Sequence, residues 1–165
     1  MIEGELFLSD LQLVSKADRF FWIFKPSECI QGEPFDIHLT FRNDGQQKFE
    51  GGTCKLHVKN RLSYDFETDL PAIEPHQSKT VTISDIRLAE TGFIGLTSFD
   101  VRTKEGKMVS CKDADGKIMD SRRAYPFLLA NREELYQKYA VIVAIFFSVL
   151  ATVLTIVNVL VAFFG

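Results

Sequence analysis

Two different spacings of apolar residues divide the chain near residue 130. Before it, apolar and polar positions alternate over short runs. In FDIHLTF, Phe35, Ile37, Leu39 and Phe41 alternate with Asp36, His38 and Thr40; in TCKLHVK, Cys54, Leu56 and Val58 alternate with Lys55, His57 and Lys59. A period of two gives a strand one face for a core and one for water. ELFLSDLQLV, KTVTISDIRL, FIGLTSFDV, FFWIF and AYPFLL, with KMVSCKDADGKIMD as a hairpin turning at Asp115 and Gly116, extend the series to about eight or nine short strands. Gly, Pro, Asn and Asp punctuate them, most plainly the NDG turn from Asn43 to Gly45, where Asn and Gly accept positive φ. No helical period precedes residue 130. Antiparallel strands at this spacing predict a mainly β fold, an immunoglobulin-like β-sandwich over residues 1–130.

The second spacing is helical and apolar on all sides. From Tyr139 to Phe164 no charged residue occurs. About 26 residues at 1.5 Å each make a helix of roughly 39 Å, longer than the roughly 30 Å of a bilayer's hydrocarbon core. Residues 139–164 are therefore predicted to form one transmembrane helix, tilted to fit. Residues 131–138 form its juxtamembrane start, with Asn131 as the cap and Glu134 as the far half of a capping box. Neither Gly nor Pro interrupts Arg132 to Phe164, so no flexible linker separates the two parts.

Four polar residues sit in the predicted span: Ser148, Thr152, Thr155 and Asn158. Three of them join four alanines. Ala140, Ala144, Ser148, Ala151, Thr155, Asn158 and Ala162 follow steps of three and four, and at about 100° per residue they fall within an arc of about 80°. Thr152 lies off the stripe, where it can hydrogen-bond back to its own helix. Lipid offers helices no hydrophobic drive to associate, so contact depends on small residues that let backbones approach and on hydrogen bonds across the seam. The stripe predicts a transmembrane interface, with a second copy or another membrane protein as partner. The alternative is a membrane-active effector whose oligomerised helices line a pore with Ser148, Thr155 and Asn158.

Charge adds a sidedness. Residues 1–101 hold 10 Lys and Arg against 16 Asp and Glu, whereas residues 102–138 hold 9 against 6. The basic part adjoins the span, as suits an anionic leaflet. The N-terminus has no basic region followed by an apolar run, so no secretory signal is expected, and with only Gly165 after the span the chain reads as tail-anchored. Arg132 and Lys138 flank the span on the large side, which predicts a cytoplasmic β domain by the positive-inside bias. Cys29, Cys54 and Cys111 are odd in number and lack CxxC spacing, as expected of free thiols in a reducing compartment.

The succession SDLQL, then GEPFDIHLTFRNDGQQKFEGGTCKLHV, then LPAIEPHQSKTVTISDIRLAETGFIGLTSFDV resembles the adhesion-related immunoglobulin-like domains called CARDB and their fibronectin-III-like relatives. An N-x-G turn after an alternating strand, here Asn43 to Gly45, and a Pro-containing element before the next strand, here Glu74 to Ser78, carry the resemblance over roughly Ser9 to Arg102. It implies an immunoglobulin fold and a role in binding or spacing, and no site residues.

Candidate chemistry is sparse. His38 and His57 point outward by strand parity and His76 lies in the turn EPHQS, so their spacing gives no metal site. DADGK begins like a calcium loop, but Lys117 takes an acidic position and Ala124 the place of the bidentate carboxylate. GxSxG and GxxxxGK[ST] are absent. No enzymatic activity, cofactor, metal or nucleic-acid partner is expected. FFWIF does not alternate, so Phe20, Phe21, Trp22 and Phe24 are either buried on both faces or form a contact surface for a partner or the bilayer. Together these readings predict a non-enzymatic, single-pass membrane-anchored binding or scaffolding subunit.

Overall fold

The computed structural model describes residues 6–17, 25–26, 28–59, 61–113, 116–118 and 125–164, the side chains of residues 97 and 98 excepted. Ten strands and one helix are formed by them, in the order β1 (Leu6–Ser15), β2 (Cys29–Ile30), β3 (Phe35–Asn43), β4 (Gly52–Lys59), β5 (Ser63–Leu70), β6 (Ser78–Ile86), β7 (Gly92–Thr103), β8 (Met108–Val109), β9 (Cys111–Lys112), β10 (Tyr125–Ala130) and α1 (Arg132–Phe164). The aromatic run Phe20, Phe21, Trp22 and Phe24 lies outside the described residues.

The strands make two mixed sheets. One has the order β6-β3-β1-β9, and the other the order β2-β10-β7-β4-β5 with β8 also on β7. Strand parity accounts for the core. Phe35, Ile37, Leu39 and Phe41 of β3 are fully buried, as are Cys54, Leu56 and Val58 of β4. They meet Leu6, Ile94, Leu96 and Val101 in one cluster drawn from both sheets. Each such large apolar side chain contributes about 1.5 to 3 kcal/mol on burial.

The NDG turn falls where the sequence places it, whereas the KMVSCKDADGKIMD hairpin forms only in part among the described residues. Asn43 does end a strand, but the chain leaving it does not double back: β3 pairs with β1 and β6, and β4 with β5 and β7. The Asn43 amide is instead a buried fastener. It donates to the carbonyls of Gln47 at 2.8 Å and Ile73 at 3.0 Å, and its Oδ1 accepts the Gly45 N–H at 3.0 Å. The segment KMVSCKDADGKIMD is split among three neighbours, not closed as one hairpin. Met108 and Val109 return onto β7, Cys111 and Lys112 run parallel to β1, and among the described residues the bridge between Lys112 and Ile118 belongs to the expected turn. There the Asp113 N–H donates to the Lys117 carbonyl and the Gly116 N–H to the Asp113 carbonyl, with Gly116 at φ 75°.

β5, SYDFETDL, is an element the sequence reading passed over. Its period of two is present, with Tyr64, Phe66 and Thr68 half-buried between exposed Asp65, Glu67 and Asp69. Asp and Glu are depleted in strands, and here they occupy three of the four outward positions, which masks the signal.

β4 and β7 approach closely at one glycine. A Cβ on Gly52 would stand 1.8 Å from the Arg102 carbonyl oxygen, so only glycine fits. Among the described residues, α1 is the one helix long and apolar enough to cross a membrane. Its N-terminus is capped where the sequence predicts, the Asn131 Oδ1 accepting the Glu133 N–H at 2.9 Å.

Candidate functional site

The site begins at the root of α1. Leu135 is the buried residue of the helix, packed with Ala17, which follows β1, and Ile30 of β2, with Ala130 and Tyr139 against them. Polar contacts flank this plug. Arg132 Nη1 meets Glu33 Oε1 at 2.6 Å, and Lys138 Nζ lies 3.9 Å from Glu28 Oε1. The Lys138 ammonium also stands 6.0 Å from the Tyr139 ring centroid. The backbone closes the junction as well, with the Gln31 N–H donating to the Ala130 carbonyl at 3.0 Å. The first two turns of α1 are thus seated on the β domain.

Among the described residues, none of the helix beyond Tyr139 is buried. Ala140, Ala144, Ser148, Ala151, Thr155, Asn158 and Ala162 all lie on α1 and are all exposed. Helical geometry relates this stripe to the seat. Taking Ala140 as zero and about 100° per residue, the stripe runs from 0° to about 80°, while Leu135 lies near 220° and Tyr139 near 260°. The small-residue face is opposite the docked face.

Two stripe residues interact within the helix. Thr155 Oγ1 donates to the Ala151 carbonyl at 2.9 Å, and the off-stripe Thr152 makes the same bond to Ser148. The sequence reading reserved this back-bonding for Thr152. Thr155 has it too, because any Thr hydroxyl on a helix reaches the carbonyl four residues earlier. Thr155 therefore brings a satisfied donor to the stripe.

On the β domain, charged side chains gather at two places. Lys16 Nζ bridges Asp36 Oδ1 at 2.8 Å and Asp85 Oδ1 at 3.0 Å, and Asp36 also accepts the Asp85 N–H at 2.9 Å. This fastens the bulge between β3 and β6, where Asp85 holds φ 59°. Burial alone would raise the Asp36 carboxyl, but the Lys16 ammonium and the Asp85 N–H outweigh it and hold it below its ordinary value. The hydrogen bonds that the Lys16 ammonium donates to the Asp36 and Asp85 carboxylates raise Lys16.

The second gathering is on the outer face of β5, β4 and β7. His57 Nδ1 lies 2.5 Å from Asp65 Oδ1, His57 Nε2 lies 3.4 Å from Asp100 Oδ2, and Lys55 Nζ lies 3.3 Å from Asp65 Oδ2. The hydrogen bond from His57, then that from Lys55, lowers the Asp65 carboxyl. The histidines do not converge: His38 is on β3 beside Thr82, His57 on β4 in the other sheet, and His76 in the turn before β6 at φ 59°. Among the described residues, no group of three or more His, Cys, Asp and Glu side chains is placed to hold a metal ion.

The three cysteines are free and buried. Burial pushes the Cys29 thiol up to about 11 and those of Cys54 and Cys111 up to about 12. As thiols they are packing groups, held far from the thiolate that reacts or binds metal.

No protein-family model matches the chain, and no curated protein matches it. Among solved structures it is similar to a β-glucosidase involved in saponin metabolism from intestinal bacteria, with 12% identity and a TM-score of 0.44 over 78% of this chain and 16% of that one. A β-D-glucoside glucohydrolase from Trichoderma reesei gives 14% identity and a TM-score of 0.43, over 78% of this chain and 19% of that one. For a β-glucosidase from Listeria innocua the values are 11% and 0.34, over 73% and 16%. The chain spans less than a fifth of the length of each of these enzymes.

Proposed function

We propose that the protein is a non-enzymatic, single-pass membrane subunit that assembles through α1, with a second copy or with another membrane protein, and presents an immunoglobulin-like β-sandwich in the cytoplasm. The sandwich reading is supported by the one core to which both sheets contribute. The observation that carries the assembly reading is the opposition of the two faces of α1. The β domain is docked on the Leu135 face, and on the opposite face Ala144, Ala151 and Asn158 are exposed among the described residues.

A passive anchor has no need of this segregation. Exposed to acyl chains, the Asn158 amide would be left without partners; across a seam it contributes roughly 0.6 to 2 kcal/mol. The intrahelical bonds of Thr152 and Thr155 favour a seam over a water-lined pore, because they leave those hydroxyls with no demand for water.

The test is crosslinking in native membranes through Ser148→Cys, the buried native thiols giving little background. A crosslinked species is expected with Ala151 and Asn158 intact and lost on Ala151→Ile with Asn158→Leu. Unchanged crosslinking in that double variant overturns the reading. Ion leakage that Asn158→Leu abolishes would move the assignment to a pore.

A further inference from the structure

The sheet edges of this protein are not equally protected. β2, β8 and β9 are edge strands of two residues each, too short to template another strand. β6 is long, but Asp85 at positive φ and the register slip opposite Phe35 to Ile37 break it at one end, and Lys79 lies near the other. β5 has none of these devices. Its eight residues pair with β4 from Gly52–Leu70 to Lys59–Ser63 without a shift in register. It holds no Pro, Lys or Arg, and among the described residues it is paired on one side only.

The side chains of β5 say what could lie against it. On the inner side Tyr64 and Phe66 are half-buried against the core and stacked, with ring centroids 6.4 Å apart and planes at 5°. They form an apolar ledge at the rim. On the outer side Asp65, Glu67 and Asp69 are exposed in a row. Asp65 is engaged by His57 and Lys55, while Glu67 and Asp69 make no ion pair among the described residues.

A second copy is a poor occupant. Antiparallel self-pairing centred on Glu67 sets Glu67 against Glu67 and Asp65 against Asp69 on the same face, and like charges directly opposite are destabilising. A segment with Lys or Arg at alternate positions meets the row with opposite charge, and β-branched residues between them cover the ledge.

We infer that β5 is an acceptor edge for strand addition by an extended, alternately basic segment of another protein. This surface is separate from the transmembrane seam and does not rest on it. The test uses the full chain in nanodiscs of zwitterionic lipid, with a capped eight-residue peptide of alternating Val and Lys as probe. Binding is expected with new hydrogen-exchange protection on the amides of β5. A peptide of the same charge, N-methylated on alternate residues, should bind about ten-fold more weakly or worse, since it lacks the donors that extend a sheet. Glu67→Lys with Asp69→Lys should weaken the probe to a similar degree, with an unchanged melting temperature showing the fold intact. Asn158→Leu should leave binding as it was, so loss of the seam and loss of this site are separable. Equal binding of the N-methylated peptide, protection confined to strands other than β5, or full binding by the folded double variant would each overturn the inference.

Discussion

Leu135 and Ala144 stand on opposite sides of α1, nine residues and about 180° apart. One is the plug that fixes the helix to the β domain, and the other lies in the middle of the small-residue face. Their opposition places the docked face and the small-residue face on different sides of the helix among the described residues, so in the proposed assembly the domains of a pair would lie on the outer sides of the seam. The plug is testable. Leu135→Ala should cost about 2 kcal/mol at the root, at the low end for a buried Leu because the cluster is small. Hydrogen exchange should report it as faster exchange at Ile30 and Gln31, with β3 unchanged.

Gly52→Ala should be the more damaging substitution, although it adds a single methyl. The new Cβ meets backbone oxygen of Arg102, which cannot swing aside as a side chain can. Separation of β4 from β7 should cost about 3 kcal/mol, the upper part of the range for overpacking. A denaturant midpoint close to wild type would contradict the close approach.

Asn43→Ala should destabilise by about 1 to 3 kcal/mol, since it removes the amide donor of the Gln47 carbonyl and leaves the Ile73 carbonyl with the Phe49 N–H alone. Asn43→Asp should not rescue it, because a carboxylate has no N–H to give. Equilibrium unfolding of the three proteins settles the order.

Acid should act through Asp36. Its folded carboxyl is held below its ordinary value, so its contribution to stability is complete above about pH 4 and is lost as pH falls through the lower folded value. Lys16 has the opposite sign, being raised, so its contribution is complete below about pH 10 and is lost only as pH climbs through the higher folded value. Unfolding midpoints of wild type and Asp36→Asn should therefore differ at neutral pH and converge on acidification. The remaining acid dependence of the variant should include Asp65, also held low.

The sequence made the strongly alternating strands legible. Phe35 to Phe41 and Cys54 to Val58 have one apolar face each, and that face is the core. Asn131 was legible for a similarly local reason, since a cap needs only its own side chain and the next turn of helix. What escaped was set by distant partners. Nothing in KMVSCKDADGKIMD says that Cys111 will lie beside Leu6, a parallel pairing across a hundred residues. NDG marked the end of β3 correctly, yet the turn type cannot say which sheet receives the next strand. β5 escaped for a compositional reason, its outward acids disguising a regular period. Of the candidate site, the stripe was readable from spacing, whereas its relation to the docked face required knowing that Leu135 is the buried residue.

The three cysteines give the protein a built-in gauge of where it opens. Cys29 pairs beside Leu129 next to the helix root, while Cys111 pairs with Leu6, whose other neighbour Asn43 closes the far end of β3 about 30 Å away. Cys54 of β4, opposite Val101 of β7, lies on the same side of the domain as Cys111. A small thiol reagent can reach each only when its own neighbourhood parts, so the labelling rate of Cys29 reports excursions near the helix root and those of Cys54 and Cys111 report excursions at the other end of the sheets. Fraying that starts at the root of α1 would modify Cys29 first, and fraying from the opposite pole would modify Cys54 and Cys111 first.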